Sequence, residues 1–357
     1  MRTVAIINQK GGCGKTTTAI NLSACLAQLK KRILLVDMDP QAHATLGLGF
    51  TPGEYPKSVY DLLIGNDNGC ASPGDVILEI TPCLHLLPSD VMLSTAEPIL
   101  LQRDHREYYL SDVLTGIASQ YDFIIIDCPP NIGMLTFNAL FACSEVIIPI
   151  ESGLFALHGL SKLLETIELV NIKRNRKIMV NALATMFDRR TRIAHESLDE
   201  MIRHMGGNVF STLINQNVKL KEAAGHGQSI ITYARDSSGY RDYASLAKEL
   251  AGMKVGKLKK ARQSRAKSPV VTDAGVLFSY YAPEAEKVYV VADFNEWKAN
   301  HTPLQNIEGT GVWQKMVPLK KGRYEYKFFV DGQWITDPDN PNKASSEFGE
   351  NSYIEIH

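Results

Sequence analysis

The sequence predicts an α/β domain with a doubly wound, mainly parallel sheet built around a phosphate-binding loop (P-loop), followed by an all-β, immunoglobulin-like sandwich. Three observations predict it. Up to about residue 252, short apolar runs rich in Val and Ile alternate with longer segments of helical period, the pattern of strands buried on both faces and joined by crossover helices. From residue 270 the runs alternate apolar with polar, are divided by Gly, Pro, Asn and Asp, and include no helical stretch, as in an antiparallel sandwich. Between them, KVGKLKKARQSRAK (254 to 267) holds seven basic residues, no acidic one and too few bulky apolar side chains for a core. The expected division is therefore a domain over 1–252, a basic linker over 253–269 and a sandwich over 270–357.

In the first part, TVAIIN, RILLVD, HLLP, FIIIDCPP, EVIIPI and KIMVNALATMF read as strands, with helices over 15 to 30, 133 to 142, 155 to 172 and 238 to 252. In the last part, VLFSYYAP, KVYVVADF, VWQKMVPL, GRYEYKFFVDG, QWITDP and NSYIEIH read as strands. A chain of 357 residues exceeds what one core fills, which supports the division. The formal net charge of −1 hides an uneven distribution: residues from 270 onward carry about −5, the linker +7 and the remainder about −3. All six cysteines fall in the first 143 residues, none in CxxC spacing, so reduced, structural thiols are expected rather than zinc or redox sites. No apolar run of membrane-spanning length occurs, and MRTVAIINQKGG is neither a signal nor a transit peptide. A cytoplasmic protein is expected, with no membrane attachment, because the basic segment offers only Val255 and Leu258 as an apolar face.

The strongest chemical signal is Lys10-Gly11-Gly12-Cys13-Gly14-Lys15-Thr16-Thr17, which follows a strand and opens a helix. Backbone N–H groups in such a loop converge on an anion, glycines permit close approach, and the helix end adds its positive dipole. Lys15 is expected to reach the β and γ phosphates of a nucleotide and the Thr16 hydroxyl to ligate Mg²⁺. The usual loop has Gly at position 9, where this chain has Gln, and Lys10 stands just inside the loop. This KGGxGKTT word resembles the deviant Walker A loop of the ParA/MinD/Soj partition ATPases, and the resemblance runs through nearly all of residues 1 to 252. It implies ATP and Mg²⁺ as cofactors and a homodimer closed over ATP, with Lys10 touching the partner's phosphates. In VDMDPQAHATLGLG the resemblance assigns Asp39 to orient the attacking water and Asp37 to support the Mg²⁺ shell. In FIIIDCPPNIG it assigns Asp127 to hold Mg²⁺ through water, with 129 to 133 as a switch loop. ESGLFALHGLSKLLETIELV resembles the family's dimer-side helix, and INQNVKLKEAAGHGQSI, with Asn217, the stretch that approaches the adenine.

Family members bind DNA without sequence preference when ATP-bound, and are stimulated by a partner's basic segment. By that resemblance Arg189, Arg190, Arg192, Lys219 and Lys221 are candidate DNA contacts, with solvated surface charge as the other reading. Gln216 stands where the family often has a DNA-contacting Arg.

Residues 275 to 355 resemble the glycogen-binding domain of AMP-activated kinase β subunits through VYVVADFNEWK, GRYEYKFFVDGQWITDPDNP and FGENSYIEI. The resemblance implies glycogen or an α-glucan as ligand, with Trp297 and Trp334 as the platform for sugar rings and Lys327 and Asn351 as hydrogen-bonding partners. Broad aromatic faces suit pyranose rings because they are rigid and largely apolar. Two alternatives stay open at this stage: both tryptophans packing in the sandwich, and a module used for protein contacts. Trp313, inside an alternating run, reads as a packing residue. Two functions of different class follow: an ATP-driven switch on DNA or a scaffold that positions a cargo, and a glucan-associated scaffold whose ATPase part controls assembly without DNA.

Overall fold

The computed structural model describes residues 1–65, 71–152, 159–252, 269–272, 275–282, 285–307, 311–346 and 349–356. The expected basic linker lies outside these residues except for Pro269, as does 155–158 at the start of one expected helix. The chain divides into two compact units, Met1–Lys257 and Leu258–His357.

The first unit is a seven-stranded sheet. Its strands are β1 (Arg2–Ile6), β2 (Ile33–Asp37), β3 (Leu78–Thr81), β4 (Leu84–Leu87), β5 (Phe123–Asp127), β6 (Glu145–Glu151) and β7 (Met179–Thr185), in the order β3-β4-β2-β5-β1-β6-β7. All neighbours are parallel except β3 and β4. Every residue of β1, β2 and β5 is buried. Consecutive residues point to opposite faces of a strand, so Ala5 and Ile7 join one core while Val4 and Ile6 join the other. The continuous apolar runs follow from having a core on each face. Strand β3 is absent from the sequence reading because LEIT is a short edge strand with every second residue exposed, too brief to give a period.

The second unit has two antiparallel sheets. One contains β10 (Val288–Ala292), β13 (Gly322–Val330), β14 (Gln333–Ile335), β15 (Lys343–Ser346) and β16 (Gly349–Ile356). The other contains β8 (Val270–Thr272), β9 (Gly275–Tyr281), β11 (Gln305–Ile307) and β12 (Val312–Val317). Val276, Phe278 and Trp313 of one sheet pack with Val290, Tyr326, Phe328 and Ile354 of the other into a single core. Trp313 is buried, as its alternating context predicts, and donates its indole N–H to the Ala282 carbonyl at 2.9 Å. With Tyr326 and Phe328 facing inward, Glu325, Lys327 and Phe329 occupy the outer face of β13.

Candidate nucleotide and carbohydrate sites

Strand β1 sits between β5 and β6, and the crevice beyond the carboxyl ends of such strands is where doubly wound sheets hold ligands. The loop leaving β1 enters the helix Lys15–Gln28 through Gly12 (φ 75°) and Gly14 (φ 90°), both left-handed, a conformation that only glycine adopts readily. A Cβ built on Gly11 or Gly12 would meet no atom within 4 Å, so the loop borders open space of the kind a phosphate fills. The loop is tied down from outside: the Thr185 hydroxyl at the end of β7 donates to the Cys13 carbonyl at 2.8 Å. The helix start has no side-chain cap and no acidic residue in its first turn, which leaves its N–H groups and positive dipole end for an anion.

Lys15 is buried and its Nζ donates to the Lys10 carbonyl at 3.1 Å, folding it back over the loop. Lys10 points elsewhere, its Nζ 2.7 Å from Glu151 Oε2 in a pair whose side chains are 43% and 36% exposed. Asp37 and Asp127 are in register at the ends of β2 and β5, both fully buried. Neither oxygen of Asp127 has a hydrogen bond of ordinary geometry. Burial, then the neighbouring Asp37 charge, pushes its carboxyl well above the usual range, against the Thr16 hydroxyl and Lys15, which favour the charged form. A cation would stabilise the charged form of so poorly hydrogen-bonded a buried carboxylate, and Asp127 beside Thr16 fits Mg²⁺. Among the described residues there is no cluster of three His, Cys, Asp or Glu side chains able to hold a metal alone. Asp37 faces its own loop: Oδ2 accepts from the Thr45 N–H (2.9 Å) and hydroxyl (2.8 Å), and Oδ1 from the Asp39 N–H (3.1 Å). Burial nevertheless raises its carboxyl. Asp39 is nearly buried, with Oδ1 accepting from the Gln41 N–H at 2.9 Å.

Lys15, Thr16 and Asp39 thus all act on the Asp127 carboxyl, whereas Lys10 pairs with Glu151 and the Asp37 oxygens are taken by Thr45 and Asp39. Thr16 and Thr17 line a cavity of about 290 Å³ with Asn21, His43 and Gln228. Asn217 serves the fold: it caps the helix Val218–Gly225 through a bond from the Lys219 N–H (2.8 Å) and donates to Ser238 Oγ (2.6 Å). Thr45, Ser89, Glu151 and Thr185 were not singled out in the sequence. Their partners lie far along the chain, and only the spacing of Thr45 after Asp37 gave a local cue.

Phe187 bridges Asn215, so the residues after β7 lie beside the start of the helix Val218–Gly225, and Arg189 donates to Asn215 Oδ1 at 2.9 Å. All five basic candidates are exposed. Three have acidic neighbours: Arg190 with Asp188 (2.8 Å), Arg192 with Glu196 (2.6 Å) and Lys219 with Glu222 (2.8 Å).

On the second unit, Trp334 pairs with Phe329 of β13, ring centroids 5.2 Å apart, and is 50% exposed. Trp297 follows β10 in a left-handed conformation (φ 55°), its N–H bonded to the Ala292 carbonyl at 3.0 Å and its indole N–H to Asp293 Oδ1 at 2.9 Å. Asp293 Oδ2 accepts from the Glu325 N–H at 2.7 Å, which fixes the Trp297 turn beside β13 four residues from Phe329. At a rise of about 3.4 Å per residue, Glu325 and Phe329 are about 14 Å apart along the strand. Lys327 lies between them in sequence on the same face, and Asn351 donates to Glu325 Oε2 at 3.0 Å. Trp334, Lys327 and Asn351 share the Glu325 and Phe329 side of one sheet, with Asn351 buried there, whereas Trp297 lies in the turn that follows β10.

A glycine-rich loop opening onto an uncapped helix, a buried lysine across it and an unpartnered carboxylate beyond define a Mg²⁺-dependent P-loop ATPase. Residues 1–180 match the family model described as an AAA domain, and residues 276–357 that of the glycogen recognition site of AMP-activated protein kinase. The chain is 44% identical over 250 residues to the sporulation initiation inhibitor protein Soj of Bacillus subtilis, covering 70% of this chain and 97% of Soj. It belongs to the Soj and ParA family of chromosome-partitioning ATPases, with a glycogen-recognition module appended. The chromosome partitioning protein ParA of Myxococcus xanthus is 43% identical over 252 residues, 70% of this chain and 87% of that protein. Crystal structures of cobyrinic acid a,c-diamide synthase from Mycobacterium smegmatis, one with an ATP analogue and magnesium and one with ADP and magnesium, are each 32% identical. Their TM-scores are 0.60 and 0.62, covering 70% of this chain and 94% of theirs. No helix among the described residues is long and apolar enough to cross a membrane.

Proposed function

We propose that the protein is a cytoplasmic ATP-driven switch: two copies close over bound ATP, grip DNA or a scaffold without sequence preference, and let go after hydrolysis. The observation that carries this reading is the division of labour between two lysines. Lys15 is folded into its own loop, whereas Lys10 stands exposed, its ammonium paired with Glu151. An exposed pair of that kind contributes about 1 kcal/mol or less, so Lys10 leaves Glu151 readily for the denser charge of a triphosphate on a second copy. Lys15 and the loop N–H groups hold the phosphates, Thr16 and Asp127 would hold Mg²⁺, and Asp39 orients the attacking water. Magnesium, when bound, neutralises charge on the β and γ phosphates. An activator with a basic segment stimulates hydrolysis. The appended module tethers the switch to glycogen or an α-glucan, or specifies its cargo.

Lys10→Ala is expected to bind ATP but remain monomeric by light scattering, and an ATP-dependent dimer of normal size in that variant would remove the bridging role. Asp39→Ala is expected to bind ATP and dimerise while hydrolysing about 100-fold more slowly or worse, since positioned proton acceptors contribute about 10² to 10⁴ in rate. A monomeric Asp39→Ala protein in ATP would contradict that role.

A second reading, a glucan-associated scaffold that never touches DNA, is favoured by the acidic partners of Arg190, Arg192 and Lys219. Retention on DNA at low salt with and without ATP separates the two. Phosphate contacts would give a log-log salt slope of about −0.9 for each phosphate neutralised, and no ATP-dependent retention at any salt would favour the scaffold.

A further inference from the structure

Asp39 is held by a closed ring of hydrogen bonds in which Thr45 is the central member. Its amide N–H donates to Asp37 Oδ1 at 3.1 Å, and its carbonyl accepts from the Ser89 hydroxyl at 2.8 Å. The ring closes through Thr45, whose hydroxyl donates to Asp37 Oδ2 at 2.8 Å and accepts from the Ser89 N–H at 3.1 Å. The Thr45 N–H adds a further bond to Asp37 Oδ2 at 2.9 Å, and the Tyr55 hydroxyl donates to the Ser89 carbonyl at 2.5 Å. Asp37, Thr45 and Ser89 are all fully buried. One hydroxyl therefore joins the end of β2 to the residues following β4, and both backbone polar groups of Asp39 are fixed to these two points.

We infer that Thr45 is a positioning residue for hydrolysis, acting through Asp37 and Ser89 on the placement of Asp39; this rests on Asp39 as the water-orienting group. The physical warrant is the sensitivity of a near-attack geometry, where a displacement of about 1 Å can lower the rate about 100-fold. The Thr45 hydroxyl is spent on Asp37 and Ser89, so it has no bond left to give a substrate. Thr45→Val keeps the shape but removes both the donor and the acceptor, leaving the Ser89 N–H without its partner. Thr45→Ser retains the hydroxyl.

The test is single-turnover hydrolysis together with ATP affinity, thermal unfolding and dimer formation. Thr45→Val is expected to lose about 10-fold or more in hydrolysis rate, with ATP affinity within about threefold of the original. Thr45→Ser is expected to recover the rate to within about threefold. Combined with Asp39→Ala, Thr45→Val should cause no further loss, since coupled residues are not additive. A Thr45→Val protein that binds and hydrolyses ATP normally, while Asp39→Ala is inactive, would overturn the inference and leave the Asp39 role standing. Normal hydrolysis by Asp39→Ala would instead overturn the reading on which it rests. If Thr45→Val does not fold, Ser89→Ala carries the same test by releasing the Asp39 carbonyl alone, and an unchanged rate in that variant overturns the ring as a positioning device.

Discussion

Replacing Lys15 by Ala is expected to weaken ATP binding about 100-fold or more while the domain stays folded. The Lys15 ammonium is buried beside a loop whose two glycines leave open space, and it faces Asp127, which it holds toward the charged state. Each charge-assisted hydrogen bond to a phosphate oxygen is worth about 1.5 to 3 kcal/mol, and two such bonds correspond to roughly 10² to 10⁴ in affinity. Nζ donates to a loop carbonyl at 3.1 Å, a bond whose loss removes little from the fold. Titration with a fluorescent ATP analogue, alongside a thermal melt, checks both halves of the expectation. Wild-type affinity in Lys15→Ala would contradict the phosphate-loop assignment.

How much of this site could be read in advance depends on which interactions are local. The loop was legible because its glycines and lysines answer to main-chain requirements within eight residues, and strands such as FIIID because a core on each face demands an unbroken apolar run. Asp37, Asp39 and Asp127 were visible at strand ends, but what their side chains do there was not. Asp37 is turned into its own loop by Thr45, and Thr45 is set by Ser89, 44 residues later. The same holds for Thr185, which anchors a loop carbonyl 172 residues earlier. A lone Thr or Ser in an apolar setting carries no sign of its partner until the sheet order is known. Lys10 was legible as an exception to the usual loop, yet Glu151 as its resting partner follows only from β6 lying beside β1. In the sandwich, turn-rich context placed both tryptophans outside the core, whereas strands β8, β11 and β15, of three or four residues, left no period to detect.

The double variant Trp297→Ala, Trp334→Ala is expected to lose glycogen or linear α-glucan binding about 100-fold or more with the module still folded. Trp334 is half exposed, and Trp297 is held in a left-handed turn by Asp293, a conformation that costs a non-glycine residue about 1 to 2 kcal/mol and so marks a residue held for its position. If each ring covers about 100 Å² of sugar surface, area alone assigns it about 2.5 kcal/mol. Part of that is offset by ordering the glucan, and the loss of both still amounts to about two orders of magnitude. Removing a buried Trp costs about 3 to 5 kcal/mol, enough to unfold a sandwich of this size, so stability separates the two roles. The chain itself supplies the reporter: its three tryptophans are Trp297, Trp313 and Trp334, and in the double variant only buried Trp313 remains. Intrinsic fluorescence of the full chain should therefore respond to glucan in the original protein. In the variant it should stay blue-shifted and show a cooperative melt. A red-shifted, non-cooperative variant would assign the two rings to the core, and an original protein that is folded but indifferent to glucan would assign the outer face of β13 to a protein partner.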